Sequence, residues 1–264
     1  ERVLSDIDDP HNFYPRLFHI PFKNLNFVPN AHTNIIHFTM LIVLEGLDGA
    51  GKSTQVKKLK EYIVSKGREL KYLHFPRFDA PVVGEMIAKF LRGDFGDINQ
   101  VDPMLVALLY AEDRREASKM VREWLSAGDV VLFDRYVYSN IAFQCAKMED
   151  PAKREELRDW IFKSEYEDFG IPRPDINIFL DVPIGFVSSK LSEVREGDDR
   201  EYLKGKSDIH EADINFQVKV RNVYLSQCEK DESFKRIDCS DAEGNMLPAD
   251  SIFAKIKSEL DKVL

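Results

Sequence analysis

From residue 40 onward, short apolar runs alternate with stretches whose apolar residues recur every three or four positions. The run Leu41-Ile42-Val43-Leu44 reads as a buried strand, and Val56, Leu59 and Ile63 after it fall on one face of a helix. Apolar runs at 70–75, 130–133, 176–180 and 234–237 predict four further strands. The intervening pattern predicts helices over 52–66, 81–92, 103–126, 137–147, 152–168, 183–194, 209–228 and 249–262. Asp102-Pro103 and Asp150-Pro151 read as an N-cap followed by proline at the first helical position, and Gly128 as a helix C-cap. Strands alternating with helices predict an α/β fold, a five-stranded parallel sheet flanked by helices on both faces. With neither repeats nor a low-complexity linker, residues 40–264 read as one domain.

The first 39 residues break this pattern. They show no clear period and no glycine, yet carry four of the six histidines and five asparagines. Asp6, Asp8 and Asp9 argue against a transit peptide, and no apolar region marks a signal peptide. Residues 1–39 are therefore expected to be an N-terminal extension, tag-like or poorly ordered, with no catalytic part. His11, His19, His32 and His37 within it follow no metal-ligand spacing.

Composition narrows the class. The chain has 264 residues, 44% hydrophobic and 31% charged, as an ordinary globular protein does. A net charge of -9 argues against nucleic acid as a partner, so any attraction for an anion must be local. No apolar run approaches the ~20 residues of a membrane span. Cys145, Cys228 and Cys239 lie far apart and are odd in number, which favours a reducing compartment, and a cytoplasmic location is expected.

The chemistry begins where the first strand meets the first helix. Gly46-Leu-Asp-Gly-Ala-Gly-Lys-Ser-Thr54 is a complete GxxxxGK[ST] phosphate-binding loop at a strand-to-helix turn. Gly46, Gly49 and Gly51 let the backbone approach a nucleotide's phosphates, with Asp48, Ala50 and Thr54 in the same loop. Lys52 would reach the β and γ phosphates, and the Ser53 hydroxyl would hold Mg²⁺. Two strands end in an acid, at Asp134 and Asp181, and either could act on the Mg²⁺ shell. Arg135 favours Asp134, because a guanidinium beside it can clamp a second phosphate group. The charged, glycine-interrupted stretch 195–207 is expected to be a mobile lid, a solvated surface loop being the alternative.

Nothing resembles the base of a protein kinase, and the NKxD guanine signature is absent. A phosphate acceptor needs no base, since its second pKa lies near 6. A nucleoside hydroxyl would need one, and Glu45 is the obvious candidate.

Five spaced blocks make the chain resemble the thymidylate kinase family over nearly all of 40–264. They are Leu-Glu-Gly-Leu-Asp-Gly-Ala-Gly-Lys-Ser-Thr at 44–54, Phe-Pro-Arg-Phe at 75–78, Leu-Leu-Tyr-Ala-Glu-Asp-Arg at 108–114, Asp-Arg-Tyr-Val-Tyr-Ser-Asn-Ile-Ala-Phe-Gln at 134–144 and Pro-Asp-Ile-Asn-Ile-Phe-Leu-Asp-Val at 174–182. The resemblance implies a phosphate-loop kinase fold, ATP- and Mg²⁺-dependent phosphorylation of dTMP to dTDP, and a homodimer. It implies that Asp48 faces the dTMP sugar or phosphate, that Arg135 holds the acceptor phosphate and that Phe75 packs on the nucleoside. Tyr110 would stack on thymine, Arg114 bond its carbonyl, Asn140 touch the base edge, and Phe143 crowd the 2′ position. Arg77 and Ser139 belong to the same substrate-binding set. Gly49 stands where one type of relative carries a loop arginine, so catalytic charge is expected from the lid. Arg195 and Arg200 are the candidates, backed by Lys204 and Lys206. Asp208-Ile209-His210-Glu211 departs from relatives that place an arginine after the Asp. Phe78 and Phe143 replace common tyrosines. Two other readings stay open: a kinase for another pyrimidine monophosphate or a nucleoside, and a nucleotide-binding regulatory module without turnover.

Overall fold

Five short segments rich in Val, Ile, Leu and Phe form the strands: β1 (Met40–Gly46), β2 (Leu70–His74), β3 (Val130–Asp134), β4 (Ile176–Asp181) and β5 (Phe234–Asp238). They assemble into one parallel sheet of order β2-β3-β1-β4-β5. The computed structural model describes residues 39–193 and 198–263, the side chains of 198–200 excepted. The extension expected over 1–39 lies, but for Thr39, outside them.

The burial of each strand follows its place in the sheet. Every residue of β1, β3 and β4 is buried, whereas edge strand β2 is half-buried throughout. This is the behaviour of a parallel sheet covered on both faces, whose inner strands read as unbroken apolar runs. Helices α1 (Lys52–Ser65) and α8 (Ala249–Leu260) pack together on one face. Helices α3 (Pro103–Ser126), α4 (Val137–Cys145), α5 (Pro151–Phe162) and α7 (Ile214–Lys230) gather on the other. A short α2 (Val83–Leu91) leans on α3, and α6 (Ile184–Ser192) follows β4.

The predicted capping holds. The side chain of Asp102 accepts from the backbone N–H groups of Met104 and Leu105, and that of Asp150 accepts from Ala152. Gly128, at φ 88°, turns the chain in the left-handed conformation just past α3. Two boundaries differ from expectation. The helix predicted over 152–168 turns π-helical at Lys163–Asp168. The helix predicted from 209 starts at Ile214 because Asp213 caps it, accepting from the Asn215 N–H.

A second, smaller apolar cluster lies apart from the sheet. Val83, Ile87, Phe90 and Leu91 of α2 meet Val106 of α3, and Phe78, Tyr110, Tyr202 and Ile209 pack on them. Gly84 is required here, since a Cβ would come within 2.6 Å of the Phe78 carbonyl oxygen. The stretch expected to be a lid contains a 3₁₀ turn, Asp198–Leu203. The Tyr202 ring stacks on Phe78 at 3.8 Å, and the Ile209 N–H donates to the Leu91 carbonyl at 3.0 Å.

Candidate active site

β1 lies at the centre of the sheet, and the chain reverses its direction of growth there. The carboxyl ends of β1 and β3 thus form the crevice where open α/β sheets take ligands. A cleft of about 510 Å³ opens at this point.

One wall is the phosphate loop. Gly49 and Gly51 take φ 71° and 73°, and Gly51 leads directly into α1, so the first N–H groups of that helix face the loop. A Cβ at Gly49 would sit 3.1 Å from that of Lys190 on α6, and the left-handed backbone disfavours any side chain there. Lys52 is buried and donates to the carbonyls of Leu47 at 2.8 Å and Gly46 at 3.4 Å. Burial, helped by the charge of Arg135, draws its ammonium down to about 8, with Asp134 and Asp48 opposing.

Asp134 ends β3 beside this lysine. Its Oδ2 lies 3.4 Å from Nδ1 of His74, and its buried Oδ1 has no partner among the described residues. Burial raises its pKa, but the His74 hydrogen bond and the charges of Lys52 and Arg135 outweigh that and lower it. The rival acid, Asp181, is instead committed to Arg221 and Arg236.

Arg135 has φ 69°, a conformation costly for a side-chain-bearing residue. Its guanidinium donates to the Gly46 carbonyl at 2.8 Å, to Ser139 Oγ at 3.1 Å and to Asp48 Oδ1 at 2.6 Å. Gln217 of α7 donates to the other Asp48 oxygen. Glu45, the candidate base of the nucleoside reading, is fully buried and committed. It accepts from the backbone N–H of Tyr136 at 2.9 Å and of Ser139 at 3.1 Å, and from the hydroxyls of Ser139 and Tyr224. A carboxylate on β1 thereby caps α4, whose own N-cap residue makes no side-chain bond. It has no lone reactive face, which removes support from a nucleoside acceptor.

The opposite wall comes from α3 and α4. Arg114 and Glu165 form a fully buried pair, with Nη2–Oε1 at 2.8 Å, and Asn140 Nδ2 donates to Glu165 and to the Ala107 carbonyl. These bonds turn Asn140 Oδ1 away from both partners, and it makes no hydrogen bond among the described residues. Tyr110, Phe75 and Phe143 complete the wall, and the Arg135 guanidinium lies 5.1 Å from the Phe143 ring.

The cleft therefore gathers most of the residues named from sequence: Asp48, Gly49, Ala50, Gly51, Lys52, Ser53, Phe75, Tyr110, Arg114, Asp134, Arg135, Ser139, Asn140 and Phe143. Gly46 and Thr54 flank the loop without lining it. Arg77 is not among the residues lining the cleft. Its Nε donates to Asp113 at 2.8 Å and its Nη2 to the Asp113 carbonyl, which engages the guanidinium with α3. Lys204 and Lys206 pair with Glu85 and Asp94 beside α2. Arg195 and the side chain of Arg200 lie outside the described residues.

Sequence reasoning missed one side of the cleft. Tyr202, Asp208 and His210 line it, brought there by the smaller apolar cluster. Asp208 accepts from the Tyr202 hydroxyl at 2.7 Å and the His210 N–H at 2.8 Å. Burial, with the nearby charge of Asp48, pushes its carboxyl up to about 7 against those two hydrogen bonds. The only signal in the sequence was the departure at 208–211.

Comparison with known proteins agrees with this geometry. The family model described as thymidylate kinase matches residues 44–247. The thymidylate kinase of Mycobacterium tuberculosis is 33% identical over 186 residues, 70% of this chain and 84% of that protein. A probable thymidylate kinase of Thermococcus kodakarensis is 35% identical over 204 residues, 75% and 89% of the two chains. The solved thymidylate kinase of Candida albicans superposes with a TM-score of 0.62 at 25% identity, covering 85% of this chain and 92% of its own. With a phosphate loop at the centre of a parallel sheet, facing a Tyr-Arg-Asn wall, and a family match over residues 44–247, this chain belongs to the thymidylate kinase family.

Proposed function

We propose that residues 40–264 form a kinase domain that transfers the γ-phosphoryl group of ATP to dTMP, yielding dTDP and ADP. The observation that carries this reading is the wall of Tyr110, Arg114 and Asn140 facing the phosphate loop across one cleft. Two buried polar groups held by Glu165, Arg114 and Asn140, suit a planar base with hydrogen-bonding edges, and the unpartnered Asn140 Oδ1 can accept from an N–H. The loop from Gly46 to Thr54 takes the donor phosphates on its backbone N–H groups, and Lys52 bridges β and γ oxygens. Arg135 and Asp48 hold the acceptor between them, with Ser139 steadying the guanidinium. Positioning and charge neutralisation suffice, because the acceptor oxygen is already largely ionised.

The donor set suits Mg²⁺. Ser53 offers a hydroxyl at the first turn of α1, and Asp134 an orphaned, buried carboxylate oxygen. Among the described residues no cluster of three His, Cys, Asp or Glu forms a cage, and Mg²⁺ commonly needs only one or two protein oxygens beside substrate phosphates. Bound there, it would neutralise charge on the transferring group.

Arg114 and Arg135 are the arginines lining the described cleft, and both are paired with carboxylates. We therefore assign the transfer-state charge on the lid to Arg195 and Arg200. Met104, Leu105 and Leu108 expose apolar side chains on one face of α3, the surface we assign to a homodimer. No helix among the described residues is long and apolar enough to cross a membrane.

The test is an ADP-release assay with ATP and Mg²⁺ over dTMP, UMP and CMP. Selective turnover of dTMP is the expected result. Comparable rates on UMP or CMP would overturn the base-reading wall, and no turnover on any acceptor would favour a regulatory module.

A further inference from the structure

In a parallel sheet all strands run the same way, so the amino ends of β4 and β5 lie at the far end from the phosphate loop. A cavity of about 380 Å³ opens there, between α5, α7 and the start of β4. Two buried amides line it, Asn177 of β4 and Gln227 of α7, which are only 3% and 5% exposed. Neither side chain makes a hydrogen bond among the described residues. Asn177 Oδ1 is sealed from solvent, whereas its Nδ2 and the two polar atoms of Gln227 are not, which leaves those three atoms within reach of a small molecule. Buried amides without partners are costly, and a site that keeps two of them calls for something to complete them.

The charges around the cavity sort by what they already hold. Arg158 and Lys230 both pair with Glu155. Asp231 accepts from the Tyr138 hydroxyl and from the Ser233 N–H. Arg173 pairs with no carboxylate among the described residues, and its guanidinium lies over the Tyr166 ring, 4.2 Å from the centroid. The cavity thus offers two unspent amides and one unspent cation. An amide carries donors and an acceptor in one plane, as the edge of a heterocyclic base does, and a guanidinium fork matches a phosphate.

This cavity backs onto the wall of Arg114 and Asn140. Tyr166 lines the cavity and directly follows Glu165, which bonds both of those residues. Tyr138 also lines it and directly precedes Ser139, which accepts from Arg135. The turn Lys163–Asp168 is π-helical, and the Phe169 N–H reaches back five residues to the Ser164 carbonyl at 2.8 Å. Such turns are rare and concentrate at functional sites. Here consecutive residues of one turn serve the two sites.

We propose that this cavity is a second nucleotide site, which takes the base of a nucleoside 5′-phosphate on Asn177 and Gln227 and its phosphate on Arg173. Through the π-helical turn, its occupant regulates binding in the cleft. The regulatory half rests on the reading of dTMP as acceptor; the binding half does not.

The experiment titrates UMP, CMP, AMP and GMP into the ¹⁵N-labelled full chain, with the cleft filled by saturating ADP and dTMP in the presence of Mg²⁺. The side-chain amide resonances of Asn177 and Gln227 report on the cavity. Both should shift saturably with at least one of the four nucleotides, and Arg173→Ala should weaken that binding roughly tenfold. No saturable shift with any of them, a Kd unchanged in R173A, or the same response to inorganic phosphate alone would overturn the site. In steady-state assays the nucleotide that binds should change the dTMP KM and leave the ATP KM in place, and R173A should abolish the change. An effect that persists in R173A is competition inside the cleft, and it would overturn the regulatory role, as would an unchanged dTMP KM. Absence of dTMP turnover would sink the acceptor reading, while the two amide resonances still decide the cavity.

Discussion

The two walls of the cleft are built on opposite principles. The phosphate-loop wall is backbone: glycines at positive φ, a helix N-terminus and one lysine, all within nine consecutive residues of the chain. The opposite wall is side chain: Tyr110, Arg114, Asn140 and Phe143 from two helices, with Arg114 and Asn140 held by a glutamate from a third segment. The first wall reads any nucleotide's phosphates because every chain has N–H groups. On the proposed reading the second selects one base, because only fixed side chains present a particular edge. Catalytic power should therefore be lost by damage to the first wall, and selectivity or stability by damage to the second.

The largest effect tests the first half of that contrast. Lys52→Ala should lower kcat by ~10²–10³-fold or more, since one preorganised transition-state contact is worth about 3–4 kcal/mol. Its dTMP KM should change little, and single-turnover kinetics would show whether chemistry is the step affected. A large rise in KM without a fall in kcat would break the contrast.

Next is the buried pair. Glu165→Ala leaves the Arg114 charge buried and unpaired, which typically costs about 3–5 kcal/mol. Denaturant unfolding should show that loss, and the surviving enzyme should have a raised dTMP KM with its ATP KM preserved. Equal damage to both KM values would mean that the walls are not independent.

Asp208 gives a pH-dependent test. Its folded-state pKa, about 7, lies above the unfolded value near 4. The native state thus holds the proton more tightly, and this contribution is full below about pH 4 and is lost as pH rises through about 7. Asp208→Asn should therefore gain stability relative to wild type across that window, by at most about 1.4 kcal/mol per pH unit. Melting curves at pH 5 and pH 8 would show it, and a constant offset would place the proton elsewhere.

The smallest effect is at the rim. Lys206 pairs with Asp94, but both remain partly exposed. Lys206→Ala should change stability by under about 1 kcal/mol and leave kcat unaltered. A large fall in turnover would move Lys206 from the rim into the catalytic charge of the lid.

How much was legible in the sequence follows the same division. The phosphate loop, the five strands, the caps at Asp102 and Asp150 and the turn at Gly128 depend on neighbours in the chain, so local pattern determined them. The motif register further placed Tyr110, Arg114, Asn140 and Phe143 in the cleft. The Arg77–Asp113 pair was not legible, because its two residues lie 36 positions apart in the chain.

Only the tertiary structure decided the rest. Glu45 reads as a free acid before the loop, but packing brings α4 onto it 91 residues later and makes it a helix cap. Glu165 becomes the anchor of Arg114 and Asn140 in the cleft wall only when α3 and the π-helical turn meet. His210 turns from a departure in a motif into a cleft residue because three aromatic rings, from α2, α4 and α7, close around it. The physical reason is common to all three: a buried polar group takes its role from the partners that desolvate and bond it, and those partners are set by which distant segments share the core.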